Sequence, residues 1–166
     1  MAEDKQNEPE DFEQPPAFFP YEESDQLDAI LDFGVPVEVK VEAVFAAQSQ
    51  EAIQRFVLLS DGSRKLPIVI GGFEAMAISL HLDNHQPDRP MTHDLLAKLI
   101  ERLGGTVLRV FIDDFVGSTY YAKIVIEDAS GVEMIIDSRP SDAIALAIRA
   151  EAQLFVAEGI LDQHGH

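Results

Sequence analysis

The sequence predicts an α+β fold: a single domain in which a mixed, largely antiparallel sheet of about six strands curls, roll-like, around three main helices. Three observations predict it. Strand-like and helix-like stretches follow one another as β-β-β-α-α-β-β-β-α, so helices do not alternate regularly with strands as in a doubly wound sheet. Apolar residues make up 46% of the 166 positions, enough for one real core. Consecutive strands also meet across short turns, at Asp61-Gly62 and at Ala129-Ser130-Gly131, as hairpin partners do.

The elements follow in order. Residues 1–33 read as an acidic, proline-containing leader that cannot bury enough surface to offset its ordering entropy, so much of it is expected to be disordered. Within it YEESDQLDAILDF carries Leu27, Ile30, Leu31 and Phe33, the pattern of a short helix or docking peptide. The domain is expected to span 34–162, with 163–166 as a tail. VPVEVKVEAVF alternates apolar and charged residues, which predicts a half-buried strand. IQRFVLLS is a second strand, expected to be covered on both faces. KLPIVI is a third, placed at an edge or bulge by Pro67.

GGFEAMAISLHL opens a helix after Gly71-Gly72. MTHDLLAKLIERL is a second, with Leu95, Leu96, Leu99, Ile100 and Leu103 at helical spacing and Gly104-Gly105 at its end. TVLRVFID and TYYAKIVIED are strands around a loop at 113–118, and GVEMII is another. DSRPSDAIALAIR then leads into a third helix, apolar all round from Ala143 to Ile148 and so expected to be buried. FVAEGIL forms a short last element.

Composition excludes several classes. There is no cysteine, hence no disulfide and no thiolate metal site. No apolar run approaches the roughly 20 residues of a membrane span, and the N-terminus lacks a secretory signal, so a cytoplasmic protein is expected. The net charge is −18. Residues 1–33 hold 11 acidic residues and one lysine, and the remaining 19 acidic residues are spread along the body. Such a spread suits adaptation to high salt better than one acidic docking patch. No broad basic patch of the kind that binds nucleic acid is present.

Two helix starts share an Arg-Pro signature: Arg89-Pro90-Met91-Thr92-His93-Asp94 and Arg139-Pro140-Ser141-Asp142. Capping explains them without function. Proline suits the first turn, Ser and Thr accept free N–H groups, and Asp complements the positive helix end. The same groups make an anion site: free N–H donors bind phosphate, an arginine adds a bidentate fork, and a carboxylate can hold a divalent ion. On the second reading Arg89, Thr92, Arg139 and Ser141 would bind phosphate. His93, Asp94 and Asp142 would carry the chemistry. Glu74, Asp94 and Asp142 would hold magnesium or manganese. His81 and His85 stand four apart at a helix end, where solvated histidines are ordinary and a metal pair is the less common outcome.

LPIVIGGFEAMAI, RPMTHDLL, YYAKIVI and DSRPSDAIALAIR, in this order and at these distances, resemble the bifunctional nuclease family over roughly residues 35 to 161. The resemblance implies a single roll-like α+β domain and nuclease activity on both DNA and RNA. It carries over to Glu74, Arg89, Thr92, His93, Asp94, Asp137, Arg139, Ser141 and Asp142. The expected protein is a phosphodiester hydrolase with nucleic acid as substrate. The alternatives are a non-enzymatic interaction module whose Arg-Pro motifs are caps, and a hydrolase of a small phosphorylated molecule. The apolar helix at 143–148 and the apolar strands also suggest a homo-oligomer, a dimer or trimer, because a monomer of this size covers so much surface with difficulty.

Overall fold

The computed structural model describes residues 34–48 and 53–166; the leader readings above lie outside the described residues. Among the described residues, eight strands form two sheets. The first has the order β1-β8-β5-β6-β7, from β1 (Pro36–Glu38), β8 (Gln153–Ala157), β5 (Thr106–Val116), β6 (Thr119–Glu127) and β7 (Glu133–Ser138). The second is the meander β2 (Lys40–Gln48), β3 (Ile53–Ser60) and β4 (Lys65–Ile70). Every pairing is antiparallel except β5 with β8, so the fold is α+β with one mixed sheet. The described residues also form four helices: α1 (Gly72–Leu82), α2 (Thr92–Arg102), α3 (Pro140–Ala150) and α4 (Glu158–His164).

The alternating first strand divides. Val39, 3% exposed, is the break: β1 before it pairs with β8, and β2 after it pairs with β3. One strand-like sequence therefore serves two sheets. Local alternation cannot show this, because the turn between sheets keeps the apolar side inward. Although its apolar run predicts cover on both faces, β3 is not covered equally on the two. Val57 and Leu59 are fully buried, while Phe56 and Leu58 are half-buried. Pro67 does lie on an edge strand, where its missing N–H costs no ladder bond. The expected loop at 113–118 is shorter: β5 continues to Val116, and Gly117 and Ser118 turn at φ 57° and 66°.

Helix α3 is the hub. Pro140 is its first residue, and Ala143, Ile144, Ala145, Leu146 and Ala147 are all buried against α1, α2 and strands β5, β6 and β8. The helix is covered by its own chain, so its apolar surface does not by itself require a partner subunit. Its small alanines let neighbours approach closely, and Ile144 and Leu146 fill the core. Residues 163–166 are not a loose tail. His166 exchanges two backbone hydrogen bonds with Lys65, and His164 packs on Phe115 and Tyr120. Tyr120 is thereby a packing residue. Among the described residues no helix is long and apolar enough to cross a membrane.

Helix α2 reverses the simplest reading of its sequence. Its inward side is His93, Ala97 and Ile100, while Leu95, Leu96, Leu99 and Leu103 are exposed. The 93-97-100 spacing is as helical as the leucine stripe. Tertiary contact with α3 selects it, because His93 finds a carboxylate there.

Candidate functional site

Three of the four described helices place a carboxylate at the same position of their first turn. Counted from the N-caps Gly71, Met91 and Arg139, the third helical residues are Glu74, Asp94 and Asp142. A negative charge there complements the helix dipole and the free N–H groups. The three then differ in what they reach.

Glu74 folds back over Gly71, so closely that a β-carbon on Gly71 would collide with the carboxylate. It also accepts from Arg139 Nη2 at 3.2 Å. Asp94 Oδ2 accepts the Met91 N–H at 2.8 Å, a cap, and its Oδ1 accepts from Arg149 Nε at 2.5 Å. Asp142 makes no such cap. Its Oδ2 accepts from Arg139 Nε at 2.7 Å, and its Oδ1 stands 3.0 Å from His93 Nε2.

The result is a continuous polar chain, His93–Asp142–Arg139–Glu74, where the N-termini of α1, α2 and α3 meet. Its burial is graded. The His93 side chain is 11% exposed, Asp142 is 30% and Arg139 is 68%, so the chain runs from the interior to water. A second network lies beside it. Arg149, 5% exposed, donates to Asp94 on α2, to the Ala77 carbonyl on α1 and to the Ala145 carbonyl on its own helix. That guanidinium ties three helices together.

The predicted residues thus fall into groups. Glu74, His93, Arg139 and Asp142 converge. Asp94 belongs to the Arg149 network and lines a neighbouring groove of about 670 Å³ with His81, His85, Asp88 and Lys98. Arg89 and Thr92 are exposed on the approach to α2. Thr92 is the first helical residue, and the N-cap is Met91. Pro90 accordingly precedes the cap while Pro140 follows one, so the two Arg-Pro starts are offset by one residue. Ser141 is buried, 8% exposed, one residue before Asp142. Asp137 is exposed on β7, where Lys123 is its cross-strand neighbour.

The carboxylates expected to hold a metal do not gather. Glu74 and Asp142 flank Arg139, and Asp94 faces Arg149. Among the described residues no three His, Asp or Glu side chains form a group that could hold an ion. Each carboxylate is already neutralised by a guanidinium, so this arrangement does not fit a metal cage. Sequence reading also passed over Arg55. It is half-buried on β3, and its guanidinium lies over the start of α1, where a β-carbon on Gly72 would be 3.4 Å from Nη1. The only trace in the sequence is the paired glycine, which permits that approach.

Burial pushes the Asp142 carboxyl upward, but the hydrogen bonds and charges of Arg139 and His93 outweigh it, so its pKa is lowered. Burial acts on Asp94 in the same sense and is outweighed by Arg149 and the Met91 N–H, lowering its pKa too. A carboxyl depressed in the folded state contributes stability above its unfolded pKa of about 3.9 and loses it as pH falls through the folded value. Acid destabilisation as the pH falls below about 4 should therefore be shallower in Asp94→Asn and in Asp142→Asn than in the parent. Urea midpoints measured across that range check this. Parallel curves for parent and variants would show that these two carboxylates carry none of it.

The profile of the family described as bifunctional nuclease domain matches residues 57–166. Two Mycobacterium tuberculosis proteins are also similar, uncharacterized protein MT1877 of strain CDC 1551 / Oshkosh and uncharacterized protein Rv1829 of strain ATCC 25618 / H37Rv. Each is 36% identical over 128 residues, covering 77% of this chain and 76% of its own length. The residues matched by the family, 57–166, contain Glu74, both Arg-Pro helix starts and Arg149.

Proposed function

Because the chain belongs to the bifunctional nuclease domain family, we propose that it hydrolyses phosphodiester bonds of DNA and RNA where the three helix N-termini meet. The observation that supports this most is the polar chain His93–Asp142–Arg139–Glu74. Arg139 is held through Nε and Nη2 and still keeps most of its side chain in water, so it can grip a phosphate oxygen. The converging helix ends add partial positive charge where negative charge develops on the phosphoryl group. Asp142 orients the His93 ring through Nε2, which leaves Nδ1 to pass a proton.

Hydrolysis joins a water oxygen to phosphorus, breaks the bond to the leaving oxygen, and moves a proton from the water to that oxygen. His93 is the group placed to move it. Asp94 holds the first turn of α2 through its bonds to Met91 and Arg149, and so positions His93 beside it. Arg89, Thr92 and Arg55 are the groups for flanking phosphates. With net charge −18 on the chain, binding rests on these few arginines rather than on a basic groove.

The test is cleavage of single-stranded DNA and RNA by parent and His93→Gln, each under chelation and with added magnesium or manganese. Cleavage by the parent that falls at least tenfold in the variant supports the reading. Absence of cleavage under every condition, or equal cleavage by both, overturns it.

A second reading rests on a separate observation. Leu95, Leu96, Leu99 and Leu103 are 53%, 40%, 49% and 82% exposed along one helix, and contiguous apolar surface of this kind marks an interaction site. A homo-oligomer formed through α2 is the corresponding proposal. Leu99→Glu with Leu103→Glu should lower the mass seen by light scattering to that of a monomer. A parent already monomeric at high concentration rules it out.

A further inference from the structure

Phe73 is 83% exposed, the second residue of α1 and the chain neighbour of Glu74. Met76 shares its side of the helix at i+3 and is also exposed. Among the described residues the Phe73 ring stacks on no other ring. A single exposed apolar side chain is ordinary. This one stands in the turn that carries the candidate site. Glu74 bonds Arg139 from that turn, and the guanidinium of Arg55 lies over Gly72 in the same turn.

Arg55 differs from the other arginines. Arg64, Arg109, Arg139 and Arg149 each hold a carboxylate. Arg89 and Arg102 are exposed and keep their water. Arg55 is half-buried, and among the described residues it has no hydrogen-bond or ion-pair partner. Glu74, the carboxylate of the α1 first turn, bonds Arg139 instead. A guanidinium that has given up part of its water without a counter-charge is stabilised by an anion. The backbone fixes Arg55 in this place: it pairs with Ile70 across β3 and β4, and α1 begins at Gly72.

Taking the three helix ends as the phosphodiester site proposed above, we propose that the Phe73 ring stacks on an unpaired base of the substrate strand while Arg55 holds the adjoining phosphate. A nucleotide carries a flat apolar face and an anion, and the start of α1 offers a match for each. Paired bases keep their faces inside the duplex, so the substrate is single-stranded DNA or RNA. Every base has such a face, so stacking selects neither sequence nor sugar. The charge of the protein points the same way. At −18 it offers few cations to a polynucleotide, and stacking on a neutral ring adds affinity without neutralising a phosphate.

The test is fluorescence anisotropy of a labelled single strand under chelation, which follows binding apart from cleavage. Phe73 is exposed, so its replacement leaves the core intact. Phe73→Ala should weaken binding about fivefold or more, the low end for one lost base–aromatic stack. Phe73→Tyr should keep the parent affinity, and Phe73→Leu should not. On an abasic strand of the same length, which has phosphates without bases, parent and Phe73→Ala should bind equally. The parent should bind a duplex of the same sequence at least fivefold more weakly than the single strand. Arg55→Gln should lower the slope of log affinity against log salt by about 0.7, the share of one phosphate on a single strand. Equal binding of the ordinary strand by parent and Phe73→Ala overturns the proposal, as does a parent that binds no strand. An equal loss on the abasic strand, or a duplex bound as tightly as the single strand, overturns it too. So does a change of mass by light scattering in Phe73→Ala, which would assign the ring to an interface between copies. Cleavage of the same strand with magnesium or manganese separates the two readings. A strand bound through Phe73 and never cut removes the hydrolase and leaves the stacking site. A strand bound and cut equally by parent and Phe73→Ala removes the stacking site and leaves the hydrolase.

Discussion

Replacing Arg149 with methionine is expected to cost about 3 kcal/mol of folding stability, the low end of the range for breaking a buried ion pair. The side chain is 5% exposed and makes three bonds, to Asp94 on α2, the Ala77 carbonyl on α1 and the Ala145 carbonyl on α3. Methionine fills similar volume, so the loss is polar. Two carbonyls lose a donor and a carboxylate loses its counter-charge. The cost stays near the lower bound because Asp94 is 26% exposed and keeps its bond from the Met91 N–H. Urea unfolding measures it. Asp94→Asn in the same chain should cost less than the sum of the two single changes, since both remove one interaction. A cost under about 1 kcal/mol would place Arg149 with ordinary surface pairs.

Asp142→Asn is expected to act on chemistry instead. The amide keeps the shape of the carboxylate but removes the charge shared by Arg139 and His93. Proton transfer by a positioned group contributes about 10²–10⁴-fold, so cleavage should fall by about two orders of magnitude. Asp142 caps no backbone N–H of its own helix start, unlike Asp94, so the stability lost near neutral pH should be confined to its part-exposed pairs with Arg139 and His93 and stay under about 1 kcal/mol. Thermal unfolding and cleavage rate, measured on the same sample, separate the two roles. A loss of about 1 kcal/mol or more with unchanged cleavage would make Asp142 a brace.

Much of the fold was legible because its signals are local. The Asp61-Gly62 hairpin, the Gly71-Gly72 and Arg-Pro helix starts, and the buried helix after Pro140 all follow from turn chemistry and apolar spacing. The site was half legible. The helix-start motifs select Glu74, His93, Arg139 and Asp142, and these do converge. The same motifs also select Arg89, Thr92, Asp94 and Ser141, which do not join them. A helix start looks alike whether its polar groups face a partner, the core or water.

What the sequence determined by itself was therefore the set of elements, the charge and the helix-start chemistry, since each depends on residues within a few positions of one another. Three things were left to the tertiary structure. It divided one alternating strand between two sheets at Val39. It turned His93, Ala97 and Ile100 of α2 inward and its leucines outward. It also chose which carboxylate meets which guanidinium, joining Asp94 to Arg149 across 55 positions and His93 to Asp142 across 49. Such pairings depend on how helices pack. A pattern read along one element carries no information about the side chain that will face it from another.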